Sequence, residues 1–129
     1  MITLTPIYAA LAVLFYIFLS IRVIGLRRST QTSLGDGGHD NLQQAIRVHG
    51  NFSEYVPMAL LLMLLAELQS APALWLHAIG VATLAGRLIH AYAIPGMRAR
   101  LAYRVAGMML TFAALIGGAL LNLWLTLLS

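Results

Sequence analysis

The chain has 129 residues, of which 60% are hydrophobic and only 9% are charged, and its mean hydropathy is +0.85. Soluble domains carry about a quarter charged residues, so this composition excludes an ordinary soluble domain and indicates an integral membrane protein. The net charge is +4, but several arginines lie inside or beside apolar runs, which argues against a nucleic-acid-binding protein. The chain has no cysteine, so any thiol chemistry requires a thiol from a co-substrate.

Four apolar segments are long enough to cross a bilayer, which requires about 20 mainly apolar residues. They cover, in chain order, about residues 3–26, 42–68, 73–94 and 101–128. The first segment lacks the basic leading region of a signal peptide, so we interpret it as a membrane span. The polar, glycine-rich residues 27–41 predict a loop, and tight turns follow near residues 69–72 and 94–99. The predicted fold is all-α: one antiparallel bundle of four transmembrane helices over residues 1–129.

The arginines are distributed unequally between the two ends of this predicted bundle. One end, formed by the first and third connections and their flanks, carries Arg22, Arg27, Arg28, Arg47, Arg98, Arg100 and Arg104. The other end, which holds both termini and the second turn, carries no arginine. The positive-inside rule therefore predicts that the arginine-rich end faces the cytoplasm and that both termini face outward.

The second span opens with the polar sequence RVHGNFSEYVP, residues 47–57. At 100° per residue, Arg47, Asn51 and Glu54 lie on one side of the helix and form a polar stripe, whereas His49 points away from it. Such a stripe at the start of an apolar helix is either an anchor at the membrane surface or a ligand site that enters the membrane.

The third span contains Arg87 well inside its apolar sequence, with His90 on a similar side of the helix one turn later. If the second and third spans form an antiparallel hairpin, Glu54 is expected level with Arg87 and Asn51 level with His90. An uncompensated charge at the centre of a membrane helix costs about 2.5–3.5 kcal/mol on insertion scales. A structural ion pair is one interpretation, but the excess of arginine around a single carboxylate favours an anionic ligand.

The remaining polar and aromatic side chains have simpler interpretations. Trp75 and Trp124 lie near the ends of their spans and are expected to anchor the protein at the membrane interface. Glu67 lies beside the second turn and is expected to be solvated, and His77, near the outer surface, is expected to have no specific role. No pair of histidines on one span has a spacing that suits a shared metal or haem, so no metal cofactor is predicted.

The pattern R-x-x-x-N-x-x-E-Y-x-P of residues 47–57 resembles the second-helix motif of the MAPEG family, the membrane-associated proteins of eicosanoid and glutathione metabolism. GRLIHAYA in the third span and RARLA at the start of the fourth resemble further segments of the same family. The resemblance covers nearly the whole chain, and its short loop is similar to that of bacterial members.

This resemblance implies a homotrimer in a bacterial inner membrane, with periplasmic termini and with glutathione held between subunits toward the cytoplasmic face. Glutathione is thus the expected co-substrate, and a hydrophobic or lipid substrate is expected to arrive from the bilayer. Arg100 matches the fourth-helix arginine of the family and is the expected catalytic residue, which stabilises the thiolate. With Arg87 added from the hairpin, the expected glutathione contacts are Arg22, Arg47, Asn51, Glu54, Tyr55, Arg87, His90 and Arg104.

The predicted function is a glutathione transferase, with a peroxidase reaction as a variant, that joins the glutathione thiolate to lipophilic electrophiles. Ile94, Gly50 and Val23 depart from the residues of eicosanoid-processing members, so no particular lipophilic substrate is predicted. Three alternatives remain open: a non-catalytic lipid-binding or helper protein of the same family, a small-molecule transporter, and a purely structural membrane bundle.

Overall fold

The structure, a computed structural model, describes residues 1–93 and 101–128. Its helices are α1 (Leu4–Thr30), α2 (Asp40–Leu68), α3 (Ala73–Ala93) and α4 (Leu101–Leu128). All four are long and apolar enough to cross a membrane, which confirms the predicted all-helical membrane fold. The predicted turn at residues 94–99 lies outside the described residues, as do Arg98 and Arg100.

The four helices do not pack equally. Helices α2 and α3 contact each other and both of the other helices, whereas α1 and α4 pack against this central pair from different sides. We call the end of the bundle that carries residues 31–39 the loop face. The opposite end, which carries the two chain termini and the turn at residues 69–72, is the terminal face.

Helix α1 extends past its predicted end and the following loop is shorter than expected, covering residues 31–39. The guanidinium of Arg27 donates hydrogen bonds to the carbonyls of Gly35, at 2.8 Å, and of Thr32, at 3.3 Å. The loop thus folds back onto the last turn of α1. Basic side chains there also interact favourably with the negative end of the helix dipole.

The core consists of two groups of apolar side chains. Near the loop face, Ala12 and Leu19 of α1 pack against Val48, Phe52 and Val56 of α2. Toward the terminal face, a second group joins all four helices and consists of Tyr8, Met63, Ala66, Leu76, Ile79, Ala114 and Leu125. The remaining apolar side chains, such as those along the outer sides of α1 and α4, are largely exposed, as expected for helices that contact lipid.

Helices α3 and α4 approach most closely where two glycines face each other. A Cβ atom added to Gly86 would lie 2.8 Å from the carbonyl oxygen of Gly107, and one added to Gly107 would lie 2.7 Å from the carbonyl oxygen of Gly86. These distances are shorter than any normal carbon–oxygen contact, so only glycine permits this crossing. Small residues at a helix crossing are the usual means by which membrane helices pack closely.

The expectation that Glu67 is solvated is wrong. This side chain is buried at the terminal face, where its carboxylate accepts hydrogen bonds from the backbone N–H groups of Thr3 at 2.6 Å, Leu4 at 2.7 Å and Thr5 at 2.8 Å. The first N–H groups of a helix lack intrahelical partners and carry partial positive charge, which a carboxylate satisfies. Glu67 of α2 therefore caps α1.

His77, expected to have no specific role, is exposed but has a specific partner. Its Nδ1 atom lies 2.8 Å from the hydroxyl oxygen of Tyr8. The ring of Tyr8 in turn covers Gly80, where an added Cβ would come within 2.6 Å of the ring. This contact fixes α1 against α3 near the terminal face.

Candidate functional site

Arg87 is the centre of the polar site. It is only 2% exposed, although it lies inside a membrane-spanning helix. Its Nε and Nη2 atoms donate to the hydroxyl oxygen of Thr111 at 3.0 and 2.7 Å, and Nη2 also donates to the sulfur of Met108 at 3.1 Å. Its Nη1 atom donates to the side-chain carbonyl of Asn51. Side chains of both α2 and α4 thus accept hydrogen bonds from the guanidinium of Arg87 on α3.

The hydroxyl oxygen of Thr111 is well suited to accept these hydrogen bonds because the hydroxyl proton is donated to a different acceptor. The Thr111 hydroxyl donates to the backbone carbonyl of Gly107 at 2.9 Å, which leaves its lone pairs for Arg87. The close crossing at Gly86 and Gly107 brings α4 near enough for this contact. Backbone packing and side-chain position are therefore linked at this point.

The hydrogen bonds of Arg87 are largely satisfied, but its charge is not. All three partners, Asn51, Met108 and Thr111, are neutral. Among residues 1–93 and 101–128, no carboxylate forms an ion pair with this guanidinium. A guanidinium has five N–H donors, and four of those of Arg87 donate to these three partners. Such a site can accept an anion because it holds a positive charge without a counter-charge.

Two aromatic rings form the next layer of the site. The guanidinium carbon of Arg87 lies 5.7 Å from the ring centre of Tyr55, within the range of a cation–π interaction. The ring of Tyr55 meets that of Phe112 edge-to-face at 5.8 Å. The ring of Tyr55 thus covers one side of the cation with weakly polar surface, and Phe112 supports that ring from α4.

Additional positive charge lies toward the loop face. His90 is 5% exposed on α3, and Arg47, Arg87 and Arg104 are all close enough to act electrostatically on it. Arg47 and Arg104 are exposed, so their guanidinium groups are accessible at the edge of the site. The described structure therefore brings together six of the predicted contacts from three helices: Arg47, Asn51, Tyr55, Arg87, His90 and Arg104.

Glu54 does not lie where the hairpin register predicted. Asn51 rather than Glu54 meets Arg87, and Glu54 is exposed, with its Oε1 atom 3.9 Å from the position of a Cβ added to Gly50. Asn51 precedes Glu54 by about one helical turn, so the observed pairing differs from the predicted register by that amount. In the turn that joins the two helices, the N–H groups of residues 69–71 bond back to carbonyls of Ala66 and Glu67. Glu54 is left at the open edge of the cluster.

Arg22 is separated from this cluster within one chain. It lines a different groove, of about 350 Å³, formed by the α1 residues Phe15, Phe18 and Leu19 and the α3 residues Leu88, Ala91 and Tyr92. His49 points away from the polar stripe, as predicted, and its Nε2 atom lies 3.0 Å from the hydroxyl of Ser20 on α1. Arg100, the expected catalytic residue, lies outside the described residues.

The sequence interpretation missed Thr111 and Met108. Thr111 does carry a signal, because it is a polar residue within the apolar sequence MMLTFAALIG of α4. Polar side chains inside membrane helices tend to face other helices rather than lipid. Met108 has no comparable signal, since methionine is common at any apolar position.

The sequence matches the MAPEG family over residues 5–124. The chain belongs to the MAPEG family. Its relatives include the inner membrane protein YecN of Escherichia coli K12 and that of Escherichia coli O6:H1 strain CFT073. Each is 42% identical over 121 residues, which cover 93% of this chain and 90% of the relative. No solved structure gives a significant match.

Membership of the MAPEG family agrees with the four apolar helices and confirms the resemblance seen in the second-span motif. The names of the two relatives and the helices together support an integral inner membrane protein. The family includes glutathione transferases, which makes the anion-accepting character of the Arg87 site relevant to function.

Proposed function

We propose that this MAPEG protein is a membrane-embedded glutathione transferase that joins the glutathione thiolate to lipophilic electrophiles from the bilayer. The observation that carries the proposal is the guanidinium of Arg87, which is buried among neutral partners and surrounded by further positive charge. Glutathione has two carboxylates, one ammonium group and one thiol, so it supplies anions that this cation lacks. Because four of its five N–H donors are engaged, Arg87 attracts a carboxylate mainly through its charge. The exposed guanidinium groups of Arg47 and Arg104 are suited to bind a carboxylate through two parallel hydrogen bonds.

The roles of the site residues follow from their charges. Arg47 and Arg104, at the exposed edge, and Arg87, in the interior, attract the carboxylates of glutathione. The exposed carboxylate of Glu54 binds its ammonium group, and Tyr55 packs against the peptide. These assignments place glutathione across the open edge of the α2–α3–α4 cluster, toward the loop face.

The chemical step requires the thiolate, because a free thiol has a pKa of about 8.5 and is mostly protonated at neutral pH. A nearby guanidinium favours the anion and thus lowers the pKa of the bound thiol. We assign this role to Arg100. The thiolate sulfur then attacks the electrophilic carbon, a carbon–sulfur bond forms, and the leaving group departs with the bonding electrons.

The proposal includes a homotrimer in which each site lies between two subunits. One observation supports this arrangement: Arg22 lies on the α1 side of α3, away from the Arg87 cluster of its own chain. A neighbouring copy can bring its own α1, and thus its Arg22, to the open edge of that cluster. Glutathione would then contact both chains, with the loop face in the cytoplasm.

Conjugation by the purified protein tests the proposed function. We expect the protein to join reduced glutathione to 1-chloro-2,4-dinitrobenzene, and we expect Glu54→Gln and Arg100→Ala to abolish the reaction while the assembly survives. A protein that binds glutathione without any conjugation would instead be the non-catalytic helper. Normal activity in both variants would refute the assigned roles.

Mixed assemblies test the position of the site between subunits. Co-expressed Arg22→Ala and Arg87→Met chains should recover part of the activity that each lacks alone, because some sites would combine an intact Arg22 with an intact Arg87. Mixed assemblies as inactive as either single variant would contradict a shared site. Assemblies formed by one variant only are the matched control.

A further inference from the structure

A second groove lies between α3 and α4, on the terminal-face side of the glycine crossing. It has a volume of about 600 Å³, and small residues of both helices, Ala78, Ala82, Ala113 and Gly117, form much of its surface. The groove exists because α3 and α4 touch at Gly86 and Gly107 but separate toward the terminal face. It shares no residue with the Arg87 site.

Two tryptophans stand at the terminal end of this groove. Trp75 of α3 and Trp124 of α4 both line it, and they are 54% and 50% exposed. Tryptophan is enriched where the hydrocarbon of the membrane meets the headgroups, because the indole ring is apolar and its N–H is polar. The groove therefore starts at headgroup depth and runs into the hydrocarbon region.

The protein cannot fill this space with its own side chains. A Cβ atom added to Gly117 would have no neighbour within 4 Å, whereas one added to the adjacent Gly118 would lie 3.1 Å from the Cβ of Leu62. Gly118 thus packs against α2 and Gly117 opens the groove. An empty space between apolar atoms loses dispersion contacts, so an apolar occupant of matching shape is favoured.

We propose that this groove binds the hydrocarbon chain of a membrane phospholipid from the leaflet at the terminal face. The lining offers almost no hydrogen-bonding groups, so it suits a polymethylene chain rather than a polar ligand. Its volume lies within the range of about 300–1,000 Å³ that is typical of small-molecule sites. A helix of a second copy is about 10–12 Å wide with its side chains, too wide to enter between helices that meet at the glycine crossing.

The chain contains only two tryptophans, and both line the groove, so intrinsic fluorescence reports on this site directly. The probe is phosphatidylcholine with dibromostearoyl chains, titrated into the full-length protein in dodecyl maltoside micelles. Bromine quenches indole fluorescence on contact. Tryptophan octyl ester in the same micelles gives the quenching expected from random mixing.

The groove is blocked by Gly117→Leu, and Gly25→Leu is the matched control, since an added Cβ at Gly25 also has no neighbour within 4 Å. We expect saturable quenching in the natural protein and in Gly25→Leu. The lipid concentration that gives half-maximal quenching should be about tenfold lower in these two proteins than in Gly117→Leu. Equal thermal stability of the two variants shows that both are folded.

Three results would overturn the proposal. Quenching that follows the octyl ester curve would show ordinary solvation by lipid. Quenching that is equally saturable in Gly117→Leu would place the lipid elsewhere. No quenching at any lipid concentration would show that a second copy of the chain covers both indoles.

Discussion

Among residues 1–93 and 101–128, two charged side chains are buried, Glu67 near the terminal face and Arg87 nearer the loop face, and their surroundings differ. The carboxylate of Glu67 accepts three backbone hydrogen bonds at the positive end of α1, so both its hydrogen bonds and its charge are compensated. Within the described part of the chain, the hydrogen-bond partners of the Arg87 guanidinium are all neutral groups. On this difference we base the proposal that Glu67 stabilises the bundle, whereas Arg87 binds an anionic ligand.

The strongest test of this contrast is Glu67→Ala. It removes the acceptor of three N–H groups at the start of α1, and we expect a loss of about 3 kcal/mol in the free energy of unfolding. Thermal unfolding in detergent measures the effect. Glu54→Gln is the control, because Glu54 is exposed and should leave the melting temperature unchanged. Equal stability of Glu67→Ala and the natural protein would show that the cap is not important.

Arg87→Met should weaken glutathione binding without lowering the stability of the protein. Removal of a buried charge that lacks a counter-charge is expected to leave thermal stability unchanged or raised. The affinity for glutathione should fall by about 100-fold, because the carboxylates lose a buried partner. Thermal unfolding and calorimetric titration on the same preparation measure both quantities. A large loss of stability with unchanged affinity would make Arg87 a structural residue.

Gly107→Ala tests the crossing that positions Thr111. The new methyl group would meet the carbonyl of Gly86 and the backbone of His90, and we expect a destabilisation of about 2 kcal/mol. Gly117→Ala places the same methyl group in open space and should be neutral or slightly stabilising. If both variants melt at the same temperature, the close approach of α3 and α4 is not needed.

Thr111→Val should have the smallest effect of the series. It keeps the shape of the side chain but removes the acceptor for two donors of Arg87, so we expect glutathione affinity to fall by about tenfold. Thr111→Ser retains the hydroxyl and should restore the affinity, which a purely packing role would not predict. The calorimetric titration used for Arg87→Met measures both variants.

Much of this architecture is readable from the sequence because hydropathy, arginine distribution and helical periodicity are local properties. The four spans, the depth of Arg87 and the polar stripe of α2 all follow from such patterns. The role of Glu67 does not, because its partners lie 62–64 residues away in the chain and are backbone groups with no sequence signature.

The partner of Arg87 illustrates a second limit. Sequence reasoning placed Glu54 opposite it, but a shift of about one turn in the α2–α3 register substitutes Asn51. This register depends on the turn that joins α2 to α3 and on how the two helices pack, and composition alone specifies neither. The shift replaces a predicted ion pair with a neutral partner, so the structural ion pair between Glu54 and Arg87, one of the two interpretations of the sequence, is not formed.

Calorimetric titration of the detergent-purified protein with reduced glutathione, in parallel with glutathione diethyl ester, tests the central claim most directly. The ester keeps the thiol and the ammonium group but lacks both carboxylates. We expect saturable binding of glutathione and at least about tenfold weaker binding of the ester, because the buried cation selects the anionic groups. Equal binding of the two compounds, or no binding of glutathione at millimolar concentration by folded protein, would contradict the account.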